Sequence, residues 1–215
     1  ESPSVSNIVA FVSQKGGVGK STIARALGRE AALSGLDVKI CDLDTQQGTS
    51  ADWYRVRLNA NIEPPVPVEL FRTAQQALAV ADRYDLLIID GPARTSKATL
   101  EIAQVANLVV QPTGASLDDL RPAVREYHAL VQAGVPREKL VFALNHIGTD
   151  AEALDARGYI EEAGYGVLEG FLPERPGYRK AQNGGYAITE TRFAGLNEKA
   201  DAFVQRMIDR VAGHG

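Results

Sequence analysis

Gln14-Lys15-Gly16-Gly17-Val18-Gly19-Lys20-Ser21-Thr22 is the stretch that decides the fold. It follows an apolar run, Ile8-Val9-Ala10-Phe11-Val12, and leads into Ile23-Ala24-Arg25-Ala26-Leu27, where a helical period begins. A strand, a glycine-rich turn and a helix N-terminus together make the context of a phosphate-binding loop. Backbone N–H groups over Gly16, Gly17, Val18 and Gly19, with the positive end of the helix dipole, can hold polyphosphate. Lys20 would reach the outer phosphates, the Ser21 hydroxyl would ligate Mg²⁺, and Thr22 would continue the cradle into the helix. The usual spacing G-x-x-x-x-G-K-[ST] is not met, because its first glycine falls at Gln14 and a second lysine, Lys15, precedes the glycine pair.

Outward from this loop, apolar runs alternate with amphipathic stretches, the pattern of a parallel sheet wrapped by helices. The periodicity predicts strands over 7–13, 37–42, 67–71, 85–90, 106–111, 140–145 and 167–172. It predicts helices over 20–34, 49–60, 74–83, 97–104, 117–133, 151–163 and 195–212. Leu86-Leu87-Ile88-Ile89 and Leu140-Val141-Phe142-Ala143-Leu144 are apolar on both faces, as buried parallel strands are. Thr73 with Gln76, Ser116 with Asp119, and Thr149 with Glu152 have the capping-box spacing. Gly35 and Gly134 stand where helices end. The expected class is α/β: one doubly wound, mostly parallel, Rossmann-like sheet flanked by helices, a P-loop NTPase domain over 1–215.

Composition narrows the function classes. The chain has 215 residues, 45% hydrophobic and 23% charged, enough for one sizeable core. No apolar run approaches the roughly 18 residues of a bilayer span. Glu1-Ser2-Pro3-Ser4 has no basic n-region, so no signal peptide is expected. The single Cys41 excludes an intramolecular disulfide, fits a reducing cytosol and cannot supply an iron–sulfur cluster. A net charge of −4 argues against a globally basic nucleic-acid coat, though not against a local patch. His128, His146 and His214 have neither metal spacing nor a nucleophile partner.

Two strands end in carboxylates: Val38-Lys39-Ile40-Cys41-Asp42-Leu43-Asp44, and Leu86-Leu87-Ile88-Ile89-Asp90-Gly91. Ligands of parallel α/β sheets sit at such carboxyl ends, so Asp42, Asp44 and Asp90 are expected to converge on the loop at 15–21. Metal held on phosphates needs oxygen ligands of this kind, often through water, which makes Ser21, Asp42 and Asp90 the candidate metal set. Gly91 would let backbone approach a γ-phosphate. The structural alternative for any one aspartate at a strand end is a turn or helix cap.

The sequence K-G-G-x-G-K-[ST] at Lys15–Ser21 resembles the deviant Walker A motif of the ParA/MinD family of ATPases. Asp42-x-Asp44 followed by Gln46, Gln47 and Trp53 looks like the Walker A′ segment of small ParA proteins, although Thr45 replaces the family's usual proline. The resemblance implies that Lys20 and Mg²⁺ hold ATP, Asp44 orients the attacking water, and Lys15 crosses to a partner subunit's nucleotide. It implies that the ATP state is a homodimer and the ADP state a monomer. Asn145 would hydrogen-bond adenine, with a turn residue as the equal alternative. Phe171-Leu172-Pro173 resembles the base-flanking loop, so that Leu172 and Pro173 would contact the base, and Gln111-Pro112-Thr113 resembles the segment closing over the nucleotide. Trp53 and Tyr54 would face a dimer or partner, or pack in the core.

Three functions share this chemistry. A ParA-type ATPase for partition or cargo positioning would bind nonspecific DNA as a dimer, through Arg175, Arg179 and Lys180 near Arg192, and would be nucleoid-associated in the cytoplasm. An ordinary solvated face is the alternative, because Glu174, Glu190 and Glu198 dilute that charge. A separate ParB-like centromere-binding or adaptor protein is expected as activator, and no helix-turn-helix is expected ahead of the first strand. A MinD-like membrane switch would need a basic amphipathic C-terminal helix. The last helix instead carries a balanced polar face, so core packing is expected and no membrane anchor is seen. A small-molecule ligase of the dethiobiotin synthetase kind lacks the Lys15-Gly16-Gly17 signature.

Overall fold

The computed structural model describes residues 7–213. Its strands are β1 (Asn7–Phe11), β2 (Val38–Asp42), β3 (Val68–Leu70), β4 (Leu86–Asp90), β5 (Leu108–Thr113), β6 (Leu140–Leu144) and β7 (Gly166–Val167). The helices are α1 (Lys20–Leu33), α2 (Thr49–Asn59), α3 (Ala74–Leu78), α4 (Lys97–Val105), α5 (Leu117–Gln132), α6 (Asp150–Glu162), α7 (Pro176–Asn183) and α8 (Ala194–Val211). All seven strands lie parallel in one sheet of order β3-β2-β4-β1-β5-β6-β7. The expected α/β, doubly wound class is therefore what the chain forms.

Alternation along each strand builds the two helix layers. Val9 and Phe11 with Leu86 and Ile88 face α1, α2 and α8, while Ala10 and Val12 with Leu87 and Ile89 face α3 to α6. Central residues such as Ile88 and Leu87 are fully buried, and truncating one to Ala would cost about 2–5 kcal/mol. The last helix is a core helix, as expected: Ala200, Phe203, Val204 and Met207 are buried in the α1 layer. Among the described residues no helix is long and apolar enough to cross a membrane.

Several expectations need correction. The strand expected over 106–111 starts at Leu108 and runs on through Pro112 to Thr113. Val110 faces β1, where its carbonyl accepts from Val12, and Thr113 faces β6, where its carbonyl accepts from Asn145. Pro112 thus turns its missing donor toward β1 beyond Phe11, where no ladder remains to break. The strand expected over 167–172 is only Gly166–Val167. Gly170, at φ +78°, turns the chain, and pairing returns as an isolated bridge between Asn145 and Leu172. The helix expected over 74–83 stops at Leu78 and resumes as a 3-10 turn at Ala81–Arg83.

The 176–183 helix is a gain over the periodicity. Pro176-Gly177 reads as a turn, but proline at the first helical position starts this helix. Thr73 and Thr149 cap as predicted, each hydroxyl accepting at 3.2 Å from the N–H three residues on. Ser116 makes no side-chain cap; the Asp119 carboxylate has another partner, described below. Gly35 and Gly134 close α1 and α5 at φ +86° and +98°. His214 lies outside the described residues.

Candidate functional site

Because β1 sits between β4 and β5, the chain crosses from one side of the sheet to the other beside it. The carboxyl ends of β1, β2, β4 and β6 open on a cleft of about 570 Å³. Its floor is the loop from Lys15 to Gly19 and the first turn of α1, lined by Gly16, Gly17, Val18, Lys20, Ser21 and Thr22. No side chain caps the N-terminus of α1, so its first N–H groups point into the cleft, where an anion is favoured. Gly19 is required twice over. It has φ +104°, and a Cβ there would stand 2.1 Å from Asn145 Nδ2.

Asp90 is the hub of the cleft's acidic side. Its Oδ2 accepts from Ser21 Oγ at 2.6 Å and from Ser50 Oγ at 3.1 Å. Lys20 Nζ stands 3.9 Å from Oδ1, near enough for attraction without a hydrogen bond. Asp42 Oδ1 accepts the Asp44 N–H at 2.9 Å. Burial, and then the charge of Asp90, push the Asp42 carboxyl up to about 6. Asp44 itself is half-buried on the cleft wall with Gln47.

Two oxygens here are buried without a partner: Asp42 Oδ2 and Asp90 Oδ1. An orphaned buried carboxylate oxygen is costly unless a cation serves it. Donation by Ser21 to Asp90 uses the hydroxyl's proton and leaves its lone pairs to accept a cation. The residues therefore fit a hard divalent cation. Among the described residues no cluster of three or more His, Cys, Asp or Glu could hold such an ion alone. The remaining oxygens would have to come from phosphate and water.

The base side departs from the simplest expectation. Asn145 donates from Nδ2 to the Val18 carbonyl at 2.9 Å, so this side chain braces the phosphate loop. With Leu172 and Pro173 it lines a second recess of about 230 Å³. Thr22, His146, Arg179 and Gln182 line both spaces, so they form one continuous groove. Arg179 faces this groove's mouth and pairs with Glu174 at 3.1 Å, and Arg175 donates to the Glu174 carbonyl. Lys180 lies one residue further along α7 and is exposed.

Sequence reasoning missed a buried relay behind the cleft. Arg25 donates from Nε to Ser50 Oγ and from Nη1 to Gln182 Oε1, each at 3.1 Å, and Gln182 Nε2 donates to Thr22 Oγ1 at 3.0 Å. Burial lowers the Arg25 guanidinium, and the charges of Asp90 and Asp42 oppose that. Trp53 is core rather than a docking residue. It is 4% exposed, the Arg25 and Arg57 guanidiniums each lie 5.5 Å from its ring, and its N–H donates to the Tyr186 carbonyl. Arg57 is fully buried, bonded to Glu190 and to the carbonyls of Pro64 and Gly185. The only sequence signals for this cluster were arginines inside two helices, two in α1 and two in α2.

Lys15 stands at the cleft rim. Its ammonium pairs with Asp119 Oδ1 on α5 at 2.5 Å, and this hydrogen bond and charge raise its pKa.

Residues 9–187 match the family model described as the CobQ/CobB/MinD/ParA nucleotide binding domain. The chain is 27% identical over 212 residues to Maintenance of carboxysome distribution protein A of Gloeobacter kilaueensis, covering 98% of this chain and 96% of that protein. Among solved structures it is similar to the septum site-determining protein MinD complexed with Mg-ADP from Pyrococcus horikoshii. That match has a TM-score of 0.74 and 18% identity, over 97% of this chain and 98% of the other. It is similar also to a Cyanothece McdA variant in complex with ATP, at TM-score 0.70 and 17% identity, over 95% and 97%. These structural likenesses speak for the fold.

Proposed function

The chain belongs to the CobQ/CobB/MinD/ParA nucleotide-binding family, and on that premise we propose that it is an ATPase that positions cargo. Mg²⁺–ATP drives it to a homodimer that binds DNA nonspecifically, and slow hydrolysis resets it. The observation that carries this reading is the cleft. An uncapped helix N-terminus, Lys20 and a Ser21–Asp90 pair with an orphaned carboxylate oxygen are grouped as a metal-bound polyphosphate requires. Mg²⁺ would be held by the Ser21 hydroxyl, with Asp42 and Asp90 serving its water shell, and would neutralise charge on the transferred phosphoryl group. Lys20 binds the phosphates, Asp44 orients the attacking water, and Lys15 completes the partner's site. Leu172 and Pro173 flank the base, and Asn145 acts on it with whatever capacity its bond to Val18 leaves.

Cargo positioning rests on the likeness to a carboxysome distribution protein over nearly the whole chain. Arg175 at the N-cap of α7, with Arg179 and Lys180 on that helix, offers phosphate contacts that two subunits would double. An adaptor or ParB-like activator would then trigger hydrolysis at the nucleoid surface. Sedimentation with Mg²⁺–ATP, with Mg²⁺–ADP and with the Lys15→Ala variant tests the switch; a wild-type monomer in ATP at every concentration would sink it. Binding to random duplex DNA across a salt series tests the track. ATP-dependent binding that weakens with salt is expected, and absence of binding by an ATP dimer would redirect the search to a protein or membrane surface.

A further inference from the structure

We propose that Asp119 is a positioning residue for Lys15: it holds that lysine in its own subunit and so sets the concentration at which ATP-bound subunits pair. The inference rests on the reading above in which Lys15 acts in trans.

The two residues are 104 apart in sequence, yet Lys15 Nζ lies 2.5 Å from Asp119 Oδ1. The backbone of Lys15 is fixed: Ser13 Oγ accepts its N–H at 3.0 Å and donates to its carbonyl at 2.6 Å. Moving the ammonium to a partner therefore needs only side-chain rotations. Asp119 is held in turn by the first turn of α5, where the helix dipole favours a carboxylate. Asp118 adds negative charge toward the same lysine. The carboxylate also sits over Gly114, where a Cβ would stand 2.4 Å from Oδ2.

Seven residues on, and so on the same face of α5, Glu126 accepts from Thr95 Oγ1 at 2.7 Å. Thr95 belongs to the loop that follows Asp90, whose Ala93 lines the cleft. One helix face thus grips both loops of the site. The two grips differ in kind. Glu126 is 2% exposed and is a fixed anchor. The Lys15 side chain is 60% exposed, and an ion pair so open to water is weak enough to break. An ammonium that swings across to a partner's phosphates leaves Asp119 behind, so the pair within the subunit competes with assembly.

The test is Asp119→Asn, which keeps shape and removes charge, with Asp119→Ser as a second variant. Sedimentation in Mg²⁺–ATP is followed against protein concentration. The expected result is a dimer midpoint about two- to thirty-fold lower than wild type, the scale of two exposed ion pairs, one released from each subunit. The ADP form should stay monomeric, and the nucleotide-free thermal midpoint should fall by no more than about 4 °C, the loss of one exposed ion pair. A merely structural Asp119 would move the thermal midpoint further and leave the dimer midpoint alone. Lys15→Ala should abolish the gain in the Asp119→Asn background. A midpoint equal to wild type, or higher, overturns the proposal. If Lys15→Ala dimerises as wild type does, the trans lysine fails and takes the latch with it.

Discussion

Asn145 donates its side-chain amide to the main-chain carbonyl of Val18, 2.9 Å away, joining the end of β6 to the middle of the phosphate loop. The residue is 4% exposed, so water does not replace the bond readily. Removing it leaves a loop carbonyl unserved and the glycine turn freer. Asn145→Ala should therefore weaken binding of ATP, ADP and tripolyphosphate alike, by about two- to ten-fold, the range of one net hydrogen bond. Isothermal titration with tripolyphosphate separates the two roles. A loss confined to adenine nucleotides would show that the side chain serves the base alone.

Gly19 meets the same side chain. Its φ of +104° and the 2.1 Å approach to Asn145 Nδ2 leave no room for a methyl group. Gly19→Ala should abolish measurable nucleotide binding while the sheet stays folded by circular dichroism. Combining it with Asn145→Ala removes the clash and leaves only the backbone strain, so part of the affinity should return. A double-mutant cycle that is strictly additive would mean the two residues do not compete for space.

How much of this was legible beforehand follows from the length scale of each contact. Lys15 to Thr22 could be read because strand end, turn and helix start are contiguous, and Asp42 and Asp90 because parallel sheets deliver strand ends to one edge. The relay from Asp90 through Ser50 and Arg25 to Gln182 could not, because Arg25 and Gln182 meet across 157 residues. On a helix an arginine or a glutamine ordinarily reads as solvated surface. Asp119 misled for a related reason: a carboxylate in the first helical turn fits a cap for Ser116, and only the tertiary fold brings Lys15 to compete for it. The last strand was overextended because Gly170 breaks an apolar run that periodicity alone would continue.

Arg57 illustrates the energetic stakes of that hidden cluster. It is fully buried, with Glu190 Oε1 at 2.8 Å and the Pro64 and Gly185 carbonyls at 3.0 and 3.1 Å. Arg57→Met would leave both carbonyls unserved in the interior and Glu190 with only Arg29, 3.5 Å away, as a cationic partner, which costs about 2–4 kcal/mol. The urea midpoint of the nucleotide-free protein should fall accordingly. Adding Glu190→Gln should recover part of the loss, because the remaining buried group is then neutral and still accepts the Ala187 N–H. Trp53, the chain's single tryptophan, packs against Arg57 and will report the change in its emission.

Glu126 gives the pH dependence. Burial raises its carboxyl above the ordinary 4.5, while the Thr95 hydroxyl and the charge of Lys20 pull the other way without cancelling it. For an acid whose pKa is raised on folding, the folded form holds the proton more tightly than the unfolded chain does. Ionisation therefore costs stability: nothing below the unfolded value, then progressively more as pH rises through the folded value. One of its oxygens, Oε2, has no partner to offset that cost. Glu126→Gln removes the titration and keeps an oxygen for Thr95. Its stability relative to wild type should be flat at low pH, climb from about pH 4.5, and level off above the folded pKa. Urea midpoints of both proteins without nucleotide or metal, taken from pH 4 to 8, measure this. Two curves that run parallel throughout would mean that the carboxylate is solvated and that the loop carrying Thr95 is not anchored on α5.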